Sequence, residues 1–240
     1  KQEADYEIIS YEGGQKDNAI TREAICEILV AREDVEAVKA SAAKAEDGLR
    51  EEYAGTDGNI TVQITEEGHA ETDVLHPTSR EKVLFYLVQI PFGIQKMSGN
   101  IEGLVETSTN IGIVKLSDDE FFARSSVRSS VEVARDALSD KIQYLTEFLG
   151  GEYEIQGAYP AWEYRKDSPL RDKMVSVYEE MYGQKPEVVA IHAGLECGLF
   201  YKKIEGLDCV SLGPNMKDIH TSEEVLDIAS TERVWNYLVK

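Results

Sequence analysis

Ile191-His192-Ala193-Gly194-Leu195-Glu196-Cys197-Gly198, followed by Ser211-Leu212-Gly213-Pro214 and His220-Thr221-Ser222-Glu223-Glu224, is the stretch on which the reading of this chain turns. It gathers two histidines, three carboxylates, a thiol and several glycines into one short region. A ligand site needs such groups close together, and it needs glycines where backbone must approach the ligand. Around it, Ser168-Pro169 starts a helix as cap and first-turn proline, with Leu170, Met174, Val177 and Met181 as its buried stripe and Gly183 at its end. Glu187 to Ile191 and Cys209 to Leu212 read as short strands, and Glu196 to Lys202 as a helix between them. Strands alternating with helices imply part of a parallel α/β sheet. Thr231 to Lys240 reads as a last helix with no evident cap.

Upstream, the pattern changes. Tyr6 to Tyr11 and Ile25 to Ala31 read as strands separated by the turn-forming run Glu12 to Asn18. Val35, Val38, Ala42, Ala45 and Leu49 recur at helical spacing. Ile60, Val62 and Ile64 alternate with polar residues, as in a half-buried strand. Thr78 and Glu81 have capping-box spacing at the head of a helix that ends near Pro91. Gly103 to Leu116 and Glu120 to Ser129 form a hairpin around Ser117-Asp118-Asp119, and a helix with Val131, Ala134, Leu138, Ile142, Leu145 and Leu149 on one face is closed by Gly150-Gly151. Hairpin-linked strands with helices on one face imply an α+β domain. Composition shifts at Gly157-Ala158-Tyr159-Pro160-Ala161-Trp162, which places a boundary between domains at 1–156 and 157–240.

Composition narrows the partners. The chain has 240 residues and a formal charge of −20. Such a surface repels a phosphate backbone and an anionic membrane, so neither nucleic acid nor membrane is an expected partner. Cys26, Cys197 and Cys209 are odd in number and irregular in spacing, which fits reduced thiols and a cytoplasmic location.

Individual residues offer chemistry. His220, in a loop after a strand and a Gly-Pro turn, suits a metal ligand, with Glu223 or Glu224 steadying it. Glu196, between two glycines, suits a cationic ligand group or a helix start. Cys197 with His192 or His220 as base is a nucleophile reading, and a buried structural cysteine is the commoner alternative. Arg124 and Arg128 share a strand face, where either can clamp a carboxylate or pair with one of the many acids. Asn110 and Asn18 are amide donors suited to a carbonyl or to local turn chemistry.

These residues resemble a family. The run Ile191 to Phe200, with Val210-Ser211-Leu212-Gly213-Pro214 and His220-Thr221-Ser222-Glu223-Glu224, is similar to the C-terminal end of aminoacyl-histidine dipeptidases, also called Xaa-His dipeptidases. Gly13-Gly14 with Asn18-Ala19-Ile20-Thr21-Arg22-Glu23-Ala24 resembles that family's early lid segment, with Thr21 where proline is usual. Val105 to Gly112 and Val127-Arg128-Ser129 resemble its later lid strands, and Gly157 to Trp162 its return to the catalytic domain.

The resemblance implies an α+β lid domain, with an antiparallel sheet and helices on one face, followed by a partial α/β metallopeptidase catalytic domain. It implies two zinc ions per complete active site, with other divalent metals as alternatives. It also implies hydrolysis of Xaa-His and related dipeptides by metal-activated water with a glutamate as general base, and homodimerisation through the lid. By position, His220 resembles a zinc ligand and Arg128 the lid arginine that receives the substrate carboxylate. Glu196 lies in the pocket-lining segment, and Asn110 is a further lid contact. The family's other ligands and its general base lie in an N-terminal half that has no counterpart here. The expectation is therefore no catalytic residue within this chain, and an inactive chain in isolation. The rivals are another amide hydrolase of the same clan, a deacylase or carboxypeptidase, and a non-enzymatic dimerisation module.

Overall fold

The computed structural model describes residues 4–117, 119–189, 196–219 and 221–240. It is a mixed α/β structure whose main sheet is antiparallel. Strands β1 (Tyr6–Gly13), β2 (Ala24–Val30), β3 (Gly93–Met97), β4 (Val105–Leu116) and β5 (Phe121–Ser129) form one five-stranded sheet. The path runs β2-β1-β4-β3, and β5 also pairs with β4. Helices α1 (Val35–Glu52), α2 (Pro77–Gln89) and α3 (Glu132–Phe148) fall between and after these strands, and α4 (Pro169–Tyr182), α5 (Glu196–Lys203) and α6 (Ile228–Leu238) follow. A two-stranded antiparallel pair, β6 (Met216–Lys217) with β7 (Val225–Leu226), precedes α6.

Two compact units divide these elements. Unit 1 comprises Lys1–Phe92, Asn110–Ser126 and Leu145–Gly151; unit 2 comprises Gly93–Thr109, Val127–Tyr144 and Glu152–Lys240.

In unit 1, β1 and β2 pair from Tyr6↔Val30 to Gly13↔Ala24, with a bulge between Ile8 and Ser10. The far end of β1 pairs with β4 at Tyr11↔Leu116. Ile8, Val83, Tyr86, Ile90, Val114 and Leu116 are buried and form the core. Tyr86 meets Phe121 edge to face, with centroids 5.4 Å apart, a favoured aromatic arrangement. Arg80 fixes α2 to β1 by donating to the Tyr6 carbonyl at 2.8 Å and to Glu7 Oε2 at 2.9 Å.

Unit 1 departs from the sequence reading twice. His76, not Thr78, caps α2: its Nδ1 accepts from the Thr78 amide at 3.3 Å. Pro77 takes the first helical position and so moves the cap upstream of Thr78. The alternating run Ile60 to Ile64 forms no strand. Side chains of α1 satisfy its backbone instead: Arg50 Nε donates to the Ile60 carbonyl at 2.7 Å, and the Val62 amide donates to Glu46 Oε2 at 2.7 Å.

In unit 2, β3 pairs with the start of β4, from Gly93↔Thr109 to Met97↔Val105 with two irregularities. Lys96 Nζ lies 2.8 Å from the buried Glu106 carboxylate. α3 buries Leu138 and Ile142 from the stripe read in the sequence. α4 has the expected ends, since Ser168 Oγ accepts from the Arg171 amide at 3.1 Å and Gly183 closes the helix, but its expected buried stripe is not buried: Met174, Val177 and Met181 are half-buried and Leu170 is exposed. α6 starts three residues before the Thr231 read in the sequence, with Asp227 as its N-cap: Asp227 Oδ1 accepts from the Ser230 amide at 3.0 Å. Cys209–Leu212 and residues 187–189 carry no ladder, so the strand expected at Cys209 to Leu212 is absent; Ala190 and Ile191, the end of the other expected strand, lie outside the described residues.

Candidate functional site

Two of the segments singled out in the sequence, Gly157 to Trp162 and Cys209 to Leu212, meet α5. Gly198 is buried, and a β-carbon there would lie 2.7 Å from the Pro160 carbonyl oxygen and 3.5 Å from the Trp162 Cβ. Any residue but glycine would push α5 away from the Tyr159–Trp162 turn, so the two motifs are one packed unit.

The start of α3 fastens the same group. Arg135 Nη1 donates to the Tyr159 carbonyl at 2.8 Å. Glu132 Oε1 accepts from Lys202 Nζ at 2.8 Å and from Arg135 Nη2 at 3.3 Å. Lys202, and secondarily Arg135, hold the Glu132 carboxyl below its usual range.

Behind α5, Asp208 binds the head of α4. Ser168 Oγ donates to its Oδ1 at 2.7 Å and the Leu170 amide to its Oδ2 at 2.9 Å. These two hydrogen bonds, the amide first, hold the Asp208 carboxyl below its usual range. A carboxylate at a helix N-terminus satisfies amides that have no intrahelical partner. The neighbouring Cys209 thiol is pushed up to about 11, first by burial and then by Cys197 beside it. The thiol of the nucleophile reading is the neighbouring Cys197, which is half-buried in α5.

Glu196 is the first residue of α5, exposed, and makes no hydrogen bond or ion pair among the described residues. Its carboxylate is open to a cationic group arriving at that helix end. His192 and His220, the bases of the thiol reading, lie outside the described residues, and so does the metal-ligand role of His220. Among the described residues there is no cluster of three or more His, Cys, Asp or Glu side chains able to hold a metal. The described residues therefore do not fit a metal site by themselves.

The lid candidates lie on β4 and β5. Arg128 is half-buried on β5. Ser129 beside it shares a 2.9 Å hydrogen bond with Thr107, so strand alternation puts Arg128 on the opposite face of β5. Arg124, on the same face of β5 as Arg128, lies 5.5 Å from the centroid of the Phe122 ring. Asn110 Nδ2 donates to the Ala19 carbonyl at 2.7 Å, next to Asn18. Thr21 Oγ1 donates to the Ile111 carbonyl at 3.0 Å. A β-carbon at Gly112 would overlap the Lys16 and Asp17 carbonyls. The β1–β2 loop is thus pressed onto β4, which brings together the two separate lid motifs of the sequence.

No sequence pattern marks Lys202, Glu132 or Asp208 as fasteners, because they pair across 70 and 40 residues without any local spacing rule. A shallow cavity of about 270 Å³ beside α1, lined by Lys39, Glu46, Asp47 and Val62 among others, includes none of the candidate residues.

No family model matches the chain. Its sequence is 30% identical over 239 residues to the cytosol non-specific dipeptidase of Escherichia coli K12, covering 100% of this chain and 49% of that protein. Its fold superposes on the crystal structure of the aminoacylhistidine dipeptidase of Vibrio alginolyticus with a TM-score of 0.90 and 30% identity, over 99% of this chain and 48% of that one. By sequence and by fold, this chain is aminoacylhistidine-dipeptidase-like. It spans about half the length of the dipeptidases it matches. The α+β reading of the sequence holds at that level: an antiparallel sheet with helices, followed by a part of a larger α/β domain. Both relatives are dipeptidases, which supports an enzyme as the setting for this chain. Among the described residues no helix is long and apolar enough to cross a membrane.

Proposed function

We propose that this aminoacylhistidine-dipeptidase-like chain supplies the lid and the C-terminal share of the catalytic domain of a zinc dipeptidase acting on Xaa-His and related dipeptides. The observation that carries this reading is the extent of the likeness: a TM-score of 0.90 at 30% identity over 99% of the chain. A likeness confined to one motif would support only a common supersecondary unit.

In this reading residues 1–156 are the lid, through which two copies dimerise, and 157–240 belong to the catalytic domain. The protein works in the cytoplasm, the compartment for which the Escherichia coli relative is named. Arg128 receives the substrate's terminal carboxylate, because a guanidinium fork matches a carboxylate with two parallel hydrogen bonds. Glu196, open at the start of α5, holds the substrate ammonium. Asn110 contributes through the pinned β1–β2 loop or through its remaining amide hydrogen. His220 is this chain's one ligand to the zinc pair. The remaining ligands and the general base come from polypeptide outside this chain, so these 240 residues alone do not hydrolyse dipeptides.

The test is made on the full-length enzyme. Arg128→Ala is expected to raise KM for a dipeptide roughly 100-fold, with a smaller change for the same dipeptide carrying a C-terminal amide. Equal losses on both substrates would remove Arg128 from carboxylate recognition. His220→Ala is expected to lower bound zinc, and unchanged zinc would remove it from the metal site.

A further inference from the structure

Cys197 and Cys209 stand 12 positions apart in sequence, yet the fold sets them side by side. Cys197 lies in the first turn of α5, and the chain reverses after that helix. The Ile204 amide donates to the Phe200 carbonyl at 2.9 Å and the Leu207 amide to the Ile204 carbonyl at 3.2 Å, with Gly206 at a φ of 74°. A left-handed φ suits glycine, and here it turns the chain back along the helix. Cys209 Sγ then donates to the Cys197 carbonyl at 4.0 Å, an oxygen two bonds from the Cys197 Cα. The two thiols also meet each other, since Cys197 acts on the Cys209 sulfur both as a charge and as a hydrogen-bond partner. A disulfide joins Cα atoms about 4.4–6.8 Å apart, and two thiols within hydrogen-bond reach are already near that spacing.

Both segments are held from outside. Gly198, next to Cys197, is seated on the Pro160 carbonyl. Asp208, next to Cys209, accepts from the Ser168 hydroxyl and the Leu170 amide. The approach of the two sulfurs is therefore set by anchored backbone on each side. Both cysteines are free and half-buried, which leaves them within reach of a small oxidant.

We propose that Cys197 and Cys209 form a reversible oxidation site, a dithiol that a peroxide converts to a disulfide bridging the first turn of α5 to the segment after that helix. In the first step the Cys197 thiol loses its proton and its sulfur attacks one peroxide oxygen. The O–O bond breaks, the second oxygen leaves with that proton as water, and Cys197 becomes a sulfenic acid. In the second step the Cys209 sulfur attacks the Cys197 sulfur. The S–S bond forms, the S–O bond breaks, and the departing hydroxide takes the Cys209 proton as water. Two thiols are oxidised, one peroxide is reduced and two waters leave. Burial keeps the Cys209 thiol protonated, so Cys197 is the sulfur that meets the oxidant first. The inference is independent of the dipeptidase reading.

The test treats the full-length protein with hydrogen peroxide and follows each cysteine by differential alkylation and peptide mass spectrometry. The exposed Cys26 marks the background rate of oxidation. The expected result is that Cys197 and Cys209 lose alkylation together, by about tenfold or more. A peptide linking the two appears, two hydrogens lighter than the reduced peptides combined, and dithiothreitol removes it. In Cys209→Ser the Cys197 sulfenic acid has no partner, so dimedone labelling at Cys197 rises about tenfold. In Cys197→Ser, Cys209 keeps its alkylation within about twofold. The linkage in the unsubstituted protein is read without any variant, so the test holds even where a substitution unfolds α5. Undiminished alkylation of either cysteine would overturn the proposal. So would a bridge from either one to a different cysteine, or dimedone labelling of Cys197 that does not rise in a folded Cys209→Ser protein.

Discussion

Unit 1 buries Ile8, Val83, Tyr86, Ile90, Val114 and Leu116, drawn from β1, α2 and its C-cap, and β4. Unit 2 buries Leu138 and Ile142, and its other buried side chains include Glu106, Thr107, Thr109, Ser168 and Ser230. The fully buried side chains of the first unit are mostly apolar and those of the second mostly polar, while both leave large apolar side chains open, Val88 and Phe148 in the first and Trp235, Ile228 and Phe200 in the second. Burial of apolar area is the larger stabilising effect, at about 25 cal/mol per Å². A region that relies on caps worth about 1 kcal/mol each has stability to gain from a further layer.

This contrast breaks most readily in unit 1. Tyr86→Ala removes a buried ring and its edge-to-face partner, with an expected loss of about 4 kcal/mol in urea denaturation. A loss under about 1 kcal/mol would mean that unit 1 has no closed core. Next comes Gly198→Ala, which forces a β-carbon against the Pro160 carbonyl and should cost about 2 kcal/mol. Its hydrogen-exchange signature should be confined to α5 and the Tyr159–Trp162 turn, and an effect spread over unit 1 would erase the distinction.

Ser168→Ala sharpens the contrast on the side of unit 2. It removes an N-cap and one of the bonds to Asp208, for an expected loss of about 1 kcal/mol by thermal unfolding. The smallest effect concerns pH. Glu132 has its pKa lowered by Lys202, so its contribution to stability is present above the ordinary carboxylate pKa. That contribution disappears as pH falls through the lowered value. The melting temperatures of the protein and of Glu132→Gln should therefore differ at neutral pH and converge in acid. A difference that persists in acid would assign Glu132 a role other than its pairing with Lys202.

Local signals in the sequence were reliable. Ser168-Pro169 and Gly183 bound α4 because caps are decided within one turn. The α3 stripe placed Leu138 and Ile142 inside because 3.6-residue spacing is a property of the segment itself. The failures came where distant residues decide. Ile60 to Ile64 has a strand's alternation, yet Arg50 and Glu46 of α1 take its backbone groups. Strand β3 escaped notice because Gly93-Ile94-Gln95-Lys96-Met97 is short, mixed in polarity and defined only by its pairing with β4. The site was legible as motifs and not as geometry. That Gly198 seats the Pro160 carbonyl, and that Asn110 holds the Ala19 carbonyl 91 residues away, follows from no spacing rule.

The most direct measurement is hydrolysis of an aminoacyl-histidine dipeptide, with zinc present, by the purified chain and by the full-length enzyme. No turnover is expected from the chain and zinc-dependent turnover from the full-length enzyme. Zinc-dependent turnover by the 240 residues alone, or a folded, zinc-loaded full-length enzyme without turnover, would contradict the dipeptidase reading.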